Sequence, residues 1–128
     1  MHNRADNIKL THILNDTTIN NSAATSDAVD MQGMIEATFQ CHATAVAGSG
    51  AVAWTIQESA DNSSYSTLSG FTAAHTDAMD DTTKYINVRA DQMTNGKRYL
   101  KLIATETGSQ NATVLAEVLT IPKQLPPA

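Results

Sequence analysis

From Ile35 to Val46 the odd positions are Ile35, Ala37, Phe39, Cys41, Ala43 and Ala45, while Glu36, Thr38, Gln40, His42 and Thr44 fill the even ones. Successive side chains of an extended chain point to opposite faces, so this alternation predicts a half-buried β-strand with the odd positions inward. A helix competes, because Met34, Glu36, Ala37, Gln40 and Ala43 are good helix formers and Ile35, Phe39 and Ala43 recur every four residues. The unbroken alternation decides for the strand, since helical packing gives Cys41 and Ala45 no reason to avoid the polar places. At roughly 3.3 Å per residue the run spans on the order of 40 Å, longer than most strands, so a bulge or bend is expected near Ala43 to Val46.

The same period recurs along the chain. Ile8, Leu10, His12 and Leu14 alternate with Lys9, Thr11 and Ile13 in a first strand. Asn15 to Asp30 is Thr, Asn, Ser, Asp and Ala-rich, which predicts an irregular connection or a short edge strand around Thr17 to Asn20. Asp30-Met31-Gln32-Gly33 fits a type I turn with Asp first and Gly fourth. Val52, Trp54 and Ile56 form the next inward face, so Trp54 is expected to fill the core against Phe39; an exposed, sugar-stacking Trp54 is the alternative. Glu58 to Ser64 is a polar turn, and Tyr65, Thr67 and Leu68 open a return strand that Ser69-Gly70 ends. Phe71 to Thr83, with His75, Asp77, Asp80 and Asp81, reads as a solvated acidic loop. Ile86, Val88 and Ala90 alternate with Tyr85, Asn87 and Arg89. Asn95-Gly96 is a hairpin signal. In Tyr99 to Thr107 one face is Leu100, Leu102 and Ala104, and the other, with Tyr99, Lys101 and Ile103, is half apolar. Thr113 to Ile121 is apolar in both phases, which leaves its inward face open and places it centrally or at an interface. Pro122 onward cannot continue a ladder.

The 128 residues suit one domain, running from 8 to 121 between flexible tails at 1–7 and 122–128. A hydrophobic share of 41% with one Trp, two Phe and three Tyr means a core of small side chains, hence modest stability and help from a partner. The net charge of −5 lacks the basic stripe that nucleic acid requires. No apolar segment is long enough for an ordinary secretion signal or a membrane anchor, so neither is expected. The single Cys41 excludes an internal disulfide and, on an apolar face, is expected to be an inert thiol.

Chemistry is sparse. His2, His12, His42 and His75 have no partner at metal-ligand spacing, and no nucleophile elbow, phosphate loop or HExxH is present, so no metal, cofactor or catalytic residue is expected. Glu36, Glu58, Glu106 and Glu117 could pair as acid and base, but strand carboxylates on an outward face are usually solvated charge.

Trp54-Thr55-Ile56-Gln57-Glu58-Ser59-Ala60-Asp61-Asn62-Ser63-Ser64-Tyr65 resembles the strand, Glu-Ser-x-Asp, polar turn and aromatic of a family of small tailed-phage head proteins. Lys97-Arg98-Tyr99-Leu100-Lys101-Leu102-Ile103-Ala104-Thr105-Glu106-Thr107-Gly108 is similar to that family's late KRYxRxxxTxTG strand, with Lys101 where the family often has Arg. Asp30-x-x-Gly33 agrees as well. Periodicity alone gives a soluble β-domain; the resemblance implies a capsid decoration, or cement, protein. Its expected fold is an antiparallel β-sandwich, Ig-like or jelly-roll-like. Its expected role is non-enzymatic: binding the major capsid protein on the outer surface of the virion head, commonly as a homotrimer, with no nucleic acid or membrane partner. Ile8, Leu10, Tyr99, Lys101, Leu119 and Ile121 are the expected bridging residues. A carbohydrate-binding module and a phage tail or neck protein are the alternatives.

Overall fold

The computed structural model describes residues 8–44, 46, 48–76 and 82–122. Its strands are β1 (Lys9–Ile19), β2 (Ala23–Thr25), β3 (Val29–Asp30), β4 (Met34–Thr44), β5 (Ala51–Ser59), β6 (Ser66–Thr76), β7 (Thr82–Arg89), β8 (Tyr99–Thr107) and β9 (Ala112–Pro122). A short 3-10 turn, Ala90–Gln92, follows β7. The strands form two antiparallel sheets, a first in the order β1-β9-β4-β7 and a second in the order β2-β8-β5-β6, with β3 also pairing β8. The sheets pack face to face as a β-sandwich, the layered solution for strands apolar on one side.

The alternation that opens the sequence is realised in β4, where Ala37, Phe39, Cys41 and Ala43 are wholly buried. Trp54, Val52 and Ile56 of β5 and Leu100, Leu102 and Ala104 of β8 fill the facing layer, also without exposure. A helix over Met34 to Val46 is thereby ruled out. Position 45 lies outside the described residues.

Several expectations are corrected. Ile35 is 41% exposed because the register slips between Met34 and Glu36, an irregularity at the start of β4 that was not expected, while the strand ends at Thr44, within one residue of the undescribed position 45. β1 continues to Ile19 through two slips, which bury both Ile13 and Leu14. Within the segment expected to be irregular, β2 and β3 pair with β8. The turn before β4 is displaced by one residue. Met34 N–H donates to the Met31 carbonyl (3.0 Å) with Gly33 at φ +79°, while the Asp30 carboxylate accepts from Gln32 N–H (3.0 Å).

β6 does not end at Gly70 but passes through it at φ +92° and runs to Thr76, so Phe71 to Thr76 is strand, not loop. Asp77, Asp80 and Asp81 lie outside the described residues. Asn95-Gly96 closes a tight turn, Lys97 N–H to the Thr94 carbonyl at 3.0 Å, within a crossover between sheets rather than a hairpin, because β7 and β8 belong to different sheets. β9 is central, between β1 and β4, with Val114, Ala116 and Val118 inward. Its last residue, Pro122, still pairs with Met34 at the end of the ladder.

Candidate functional site

Two surfaces on opposite faces of the sandwich collect the residues expected to bridge partners. On the outer face of the first sheet, Leu10 of β1 stands directly opposite Leu119 of β9, and Leu10 is 52% exposed. Ile121 shares the outward phase of Leu119 two residues on and is half-buried, as is Ile8, which alternates with Leu10 just before β1. The neighbouring rows are polar. Glu117 is flanked by His12 and Gln40 in the ladder, with 64%-exposed Tyr85 beyond Gln40. Asn87 donates to Glu36 and to Thr38, both at 2.8 Å. An apolar ridge with a polar surround is the composition of a protein contact surface.

Tyr99 and Lys101 are not on this face. They project from β8 on the outer side of the second sheet, where three stretches far apart in sequence meet. Arg98 makes a two-point ion pair with Asp30, 2.8 Å at each nitrogen, and lies 5.0 Å over the Tyr99 ring. Lys101 Nζ lies 4.6 Å over the ring of Tyr65. The Tyr65 hydroxyl donates to the Asn62 side chain. Asn62 belongs to a turn built on Asp61, whose Oδ1 accepts from Ser63 N–H, Ser64 N–H and Ser59 Oγ at 2.9 Å each. Those donors, the backbone N–H groups foremost, hold the Asp61 carboxyl down at about 2. The Arg98 guanidinium likewise lowers the Asp30 carboxyl. A cleft of about 290 Å³, lined by Met31, Gln32, Gly33, Ala90, Met93, Lys97 and Arg98, opens at the same end of the molecule.

The interior polar groups serve the fold. Glu58 and Glu106 are not on an outward face, as expected of them, but buried. Glu58 accepts from Thr94 N–H at 3.0 Å, and Glu106 from the Asn21 and Gln110 N–H groups. Each ties a loop to the end of a strand. Glu106 sits opposite Val52 and Glu58 six residues further along β5, a separation of roughly 20 Å, well beyond the span of a glycosidase carboxylate pair. Burial pushes the Cys41 thiol up to about 12, which leaves it unreactive. Among the described residues no three His, Cys, Asp or Glu side chains converge on one point.

His75, placed by sequence in a solvated loop, is wholly buried. Its Nδ1 accepts from Trp54 Nε1–H at 2.9 Å, and its Nε2 lies 3.0 Å from the Thr82 carbonyl, which it reaches as a donor in the tautomer the first bond requires. The sequence signal was Phe71, Ala73 and His75 at period two. Because Trp54 is buried and its N–H engaged, it offers no face for sugar stacking.

No family model and no curated protein matches the sequence. Solved structures resemble it in fold. The crystal structure of PBSX exported protein XepA has a TM-score of 0.62 and 14% identity, the match covering 100% of this chain and 41% of that one. A structure of infectious bursal disease virus, Gt strain, has a TM-score of 0.57 and 12% identity, covering 95% of this chain and 34% of that one. The Clostridium thermocellum N-terminal endo-1,4-beta-D-xylanase 10B CBM22-1–GH10 modules, complexed with xylohexaose, follow at a TM-score of 0.48 and 11% identity, covering 96% and 26%. The chain thus spans less than half the length of each. At such identities the shared property is the β-sandwich itself.

Proposed function

We propose that the protein is a non-enzymatic structural component of a tailed-phage virion. In its specific form it is a decoration, or cement, protein that binds the major capsid protein on the outside of the head and stabilises the shell by bridging capsomers, as a homotrimer. The observation that carries this reading is the open apolar ridge of Leu10 and Leu119 with Ile121 and Ile8, four of the six expected contact residues on one sheet face. Beyond what the Leu10–Leu119 cross-strand pair contributes to the sheet, a contiguous apolar row on an outer face is the mark of a contact surface. The hairpin and β8 stretches that resemble the cement family support the same reading, and the fold is compatible with its likeness to an exported PBSX protein and to a virus. Repeated at many sites, an interface of ordinary size stabilises a shell by mass action and avidity.

The test is rebinding. Heads stripped of the protein are incubated with purified chain of known solution mass, and leakage of packaged DNA on heating is scored. Wild type binds and raises the leakage temperature. Leu119→Lys, on the half-covered outer face, keeps its fold by thermal melting and binds at least about tenfold more weakly, as loss of a buried contact residue does. A chain that stays monomeric and never binds heads ends this reading.

A further inference from the structure

Lys101 differs from its neighbour Arg98 in carrying no ion pair. Arg98 is neutralised by Asp30 at 2.8 Å, whereas among the described residues no carboxylate lies within ion-pair distance of Lys101 or of Lys97; what sets Lys101 apart is the ring beneath it. In a chain with 13 acidic and 8 basic residues, an unneutralised surface cation is open to a carboxylate from outside. This one is also positioned. Its ammonium rests over the Tyr65 ring, and that ring is held through Asn62 by the Asp61 turn. Tyr99 precedes Lys101 by two residues on the same face, and Gln57 stands opposite Lys101 and Ser59 opposite Tyr99 on β5.

We propose that Lys101, seated on Tyr65 beside Tyr99, is the docking point for a carboxylate presented by a partner protein, on the face of the sandwich opposite Leu10 and Leu119. A cation held on an aromatic ring has lost part of its freedom before the partner arrives, which lowers the entropic cost of pairing. The Gln57 amide adds a hydrogen-bond donor, and the tyrosine rings supply rigid apolar contact of the kind enriched in protein interfaces. With Arg98 beside it already bound to Asp30, Lys101 offers one positioned charge, which suits a carboxylate. Phosphate chains and nucleic acid require several basic groups, and the overall charge of −5 repels polyanions at range. A flat sheet face rather than a cavity selects a macromolecular surface over a small molecule.

The inference rests on the head-binding reading only for the partner's identity, and its test separates the two. Binding to stripped heads is measured at several salt concentrations for wild type, Lys101→Met, Lys101→Glu, Lys101→Arg and Tyr65→Leu, each checked for fold by thermal melting. Lys101→Met binds about tenfold more weakly with a flatter salt dependence, Lys101→Glu about a hundredfold more weakly, and Lys101→Arg close to wild type. Tyr65→Leu, which leaves the charge but frees it, falls between Lys101→Arg and Lys101→Met. Wild-type binding and salt dependence in Lys101→Glu overturn the docking point while leaving the head-binding reading intact. Should wild type fail to bind heads, titration of the full chain with a hexaglutamate peptide under NMR decides alone. Shifts confined to Tyr65, Tyr99 and Lys101 uphold the docking point, and shifts elsewhere or none overturn it.

Discussion

At the scale of single residues, the most informative side chain is His75. With Nδ1 facing the indole N–H, a second ring proton would set donor against donor, at a ring wholly buried from solvent. Burial lowers its proton affinity first, the nearby Lys84 and His42 lower it further, and the bond to the Thr82 carbonyl opposes them only in part. A folded value depressed below the ordinary 6.5 means that the unfolded chain binds the extra proton first. The stability due to neutral His75 is therefore complete above pH 6.5 and is lost as pH falls from there toward the folded value. The urea midpoint is expected to fall between pH 7.5 and 5. In His75→Gln, whose amide can both accept from Trp54 and donate to Thr82 without titrating, that fall flattens. An unchanged pH profile in this variant rules out His75 as the cause. Asp61, held at about 2, and Asp30, also lowered, lose their charge only in stronger acid, outside this window. The inward phase of Trp54 was legible in the sequence because Val52 and Ile56 share it. His75 was not, because the acidic residues after it outweighed the short alternation before it.

At the scale of elements, alternation was readable wherever a strand is regular and unreadable where the ladder slips. β4, β5, β7 and β8 hold one phase over most of their length and were legible. In β6 the pairing jumps from Gln57–Thr67 to Thr55–Thr72, so Leu68 to Phe71 bulge opposite a single residue and the phase is lost at Gly70. β1 slips twice and hides its second half in the same way. A glycine at positive φ, Gly70, marks the break in β6, and the positive-φ glycines differ in what surrounds them. Gly70 has open space where a Cβ would stand, while a Cβ on Gly108, at φ +111°, would meet the Ser49 carbonyl oxygen at 2.9 Å. Gly70→Ala is expected to cost about 1 kcal/mol of backbone strain. Gly108→Ala adds a clash with a neighbouring loop that has no flexible side chain to move, so it should cost about 2 kcal/mol or more. Urea denaturation of the two variants checks the order, and equal losses would mean that the loop at Ser49 yields freely.

At the scale of the whole molecule, the sequence could not tell which strands share a sheet. β8 and β9 are consecutive and joined by a tight turn at Gly108 to Asn111, yet they lie in opposite layers, so Tyr99 and Lys101 face away from Leu119 and Ile121. What looked like one set of contact residues is two surfaces of different chemistry, apolar on the first sheet and aromatic with a cation on the second. A subunit with two such faces can bridge, and bridging has an energetic signature. If both faces are engaged in the same bound state, Leu119→Lys and Lys101→Met share no partner across the sandwich, and their losses of binding free energy to stripped heads add to within about 0.5 kcal/mol. If each face instead supports a separate bound state, either single variant is masked by the surviving mode, and the double variant loses far more than the sum. If only one face binds, the variant on the other is silent. Equilibrium binding of the four proteins, at one salt concentration and with folding checked for each, therefore distinguishes a clamp from two alternative footholds. Additivity is the outcome expected of a protein that holds neighbouring capsomers together.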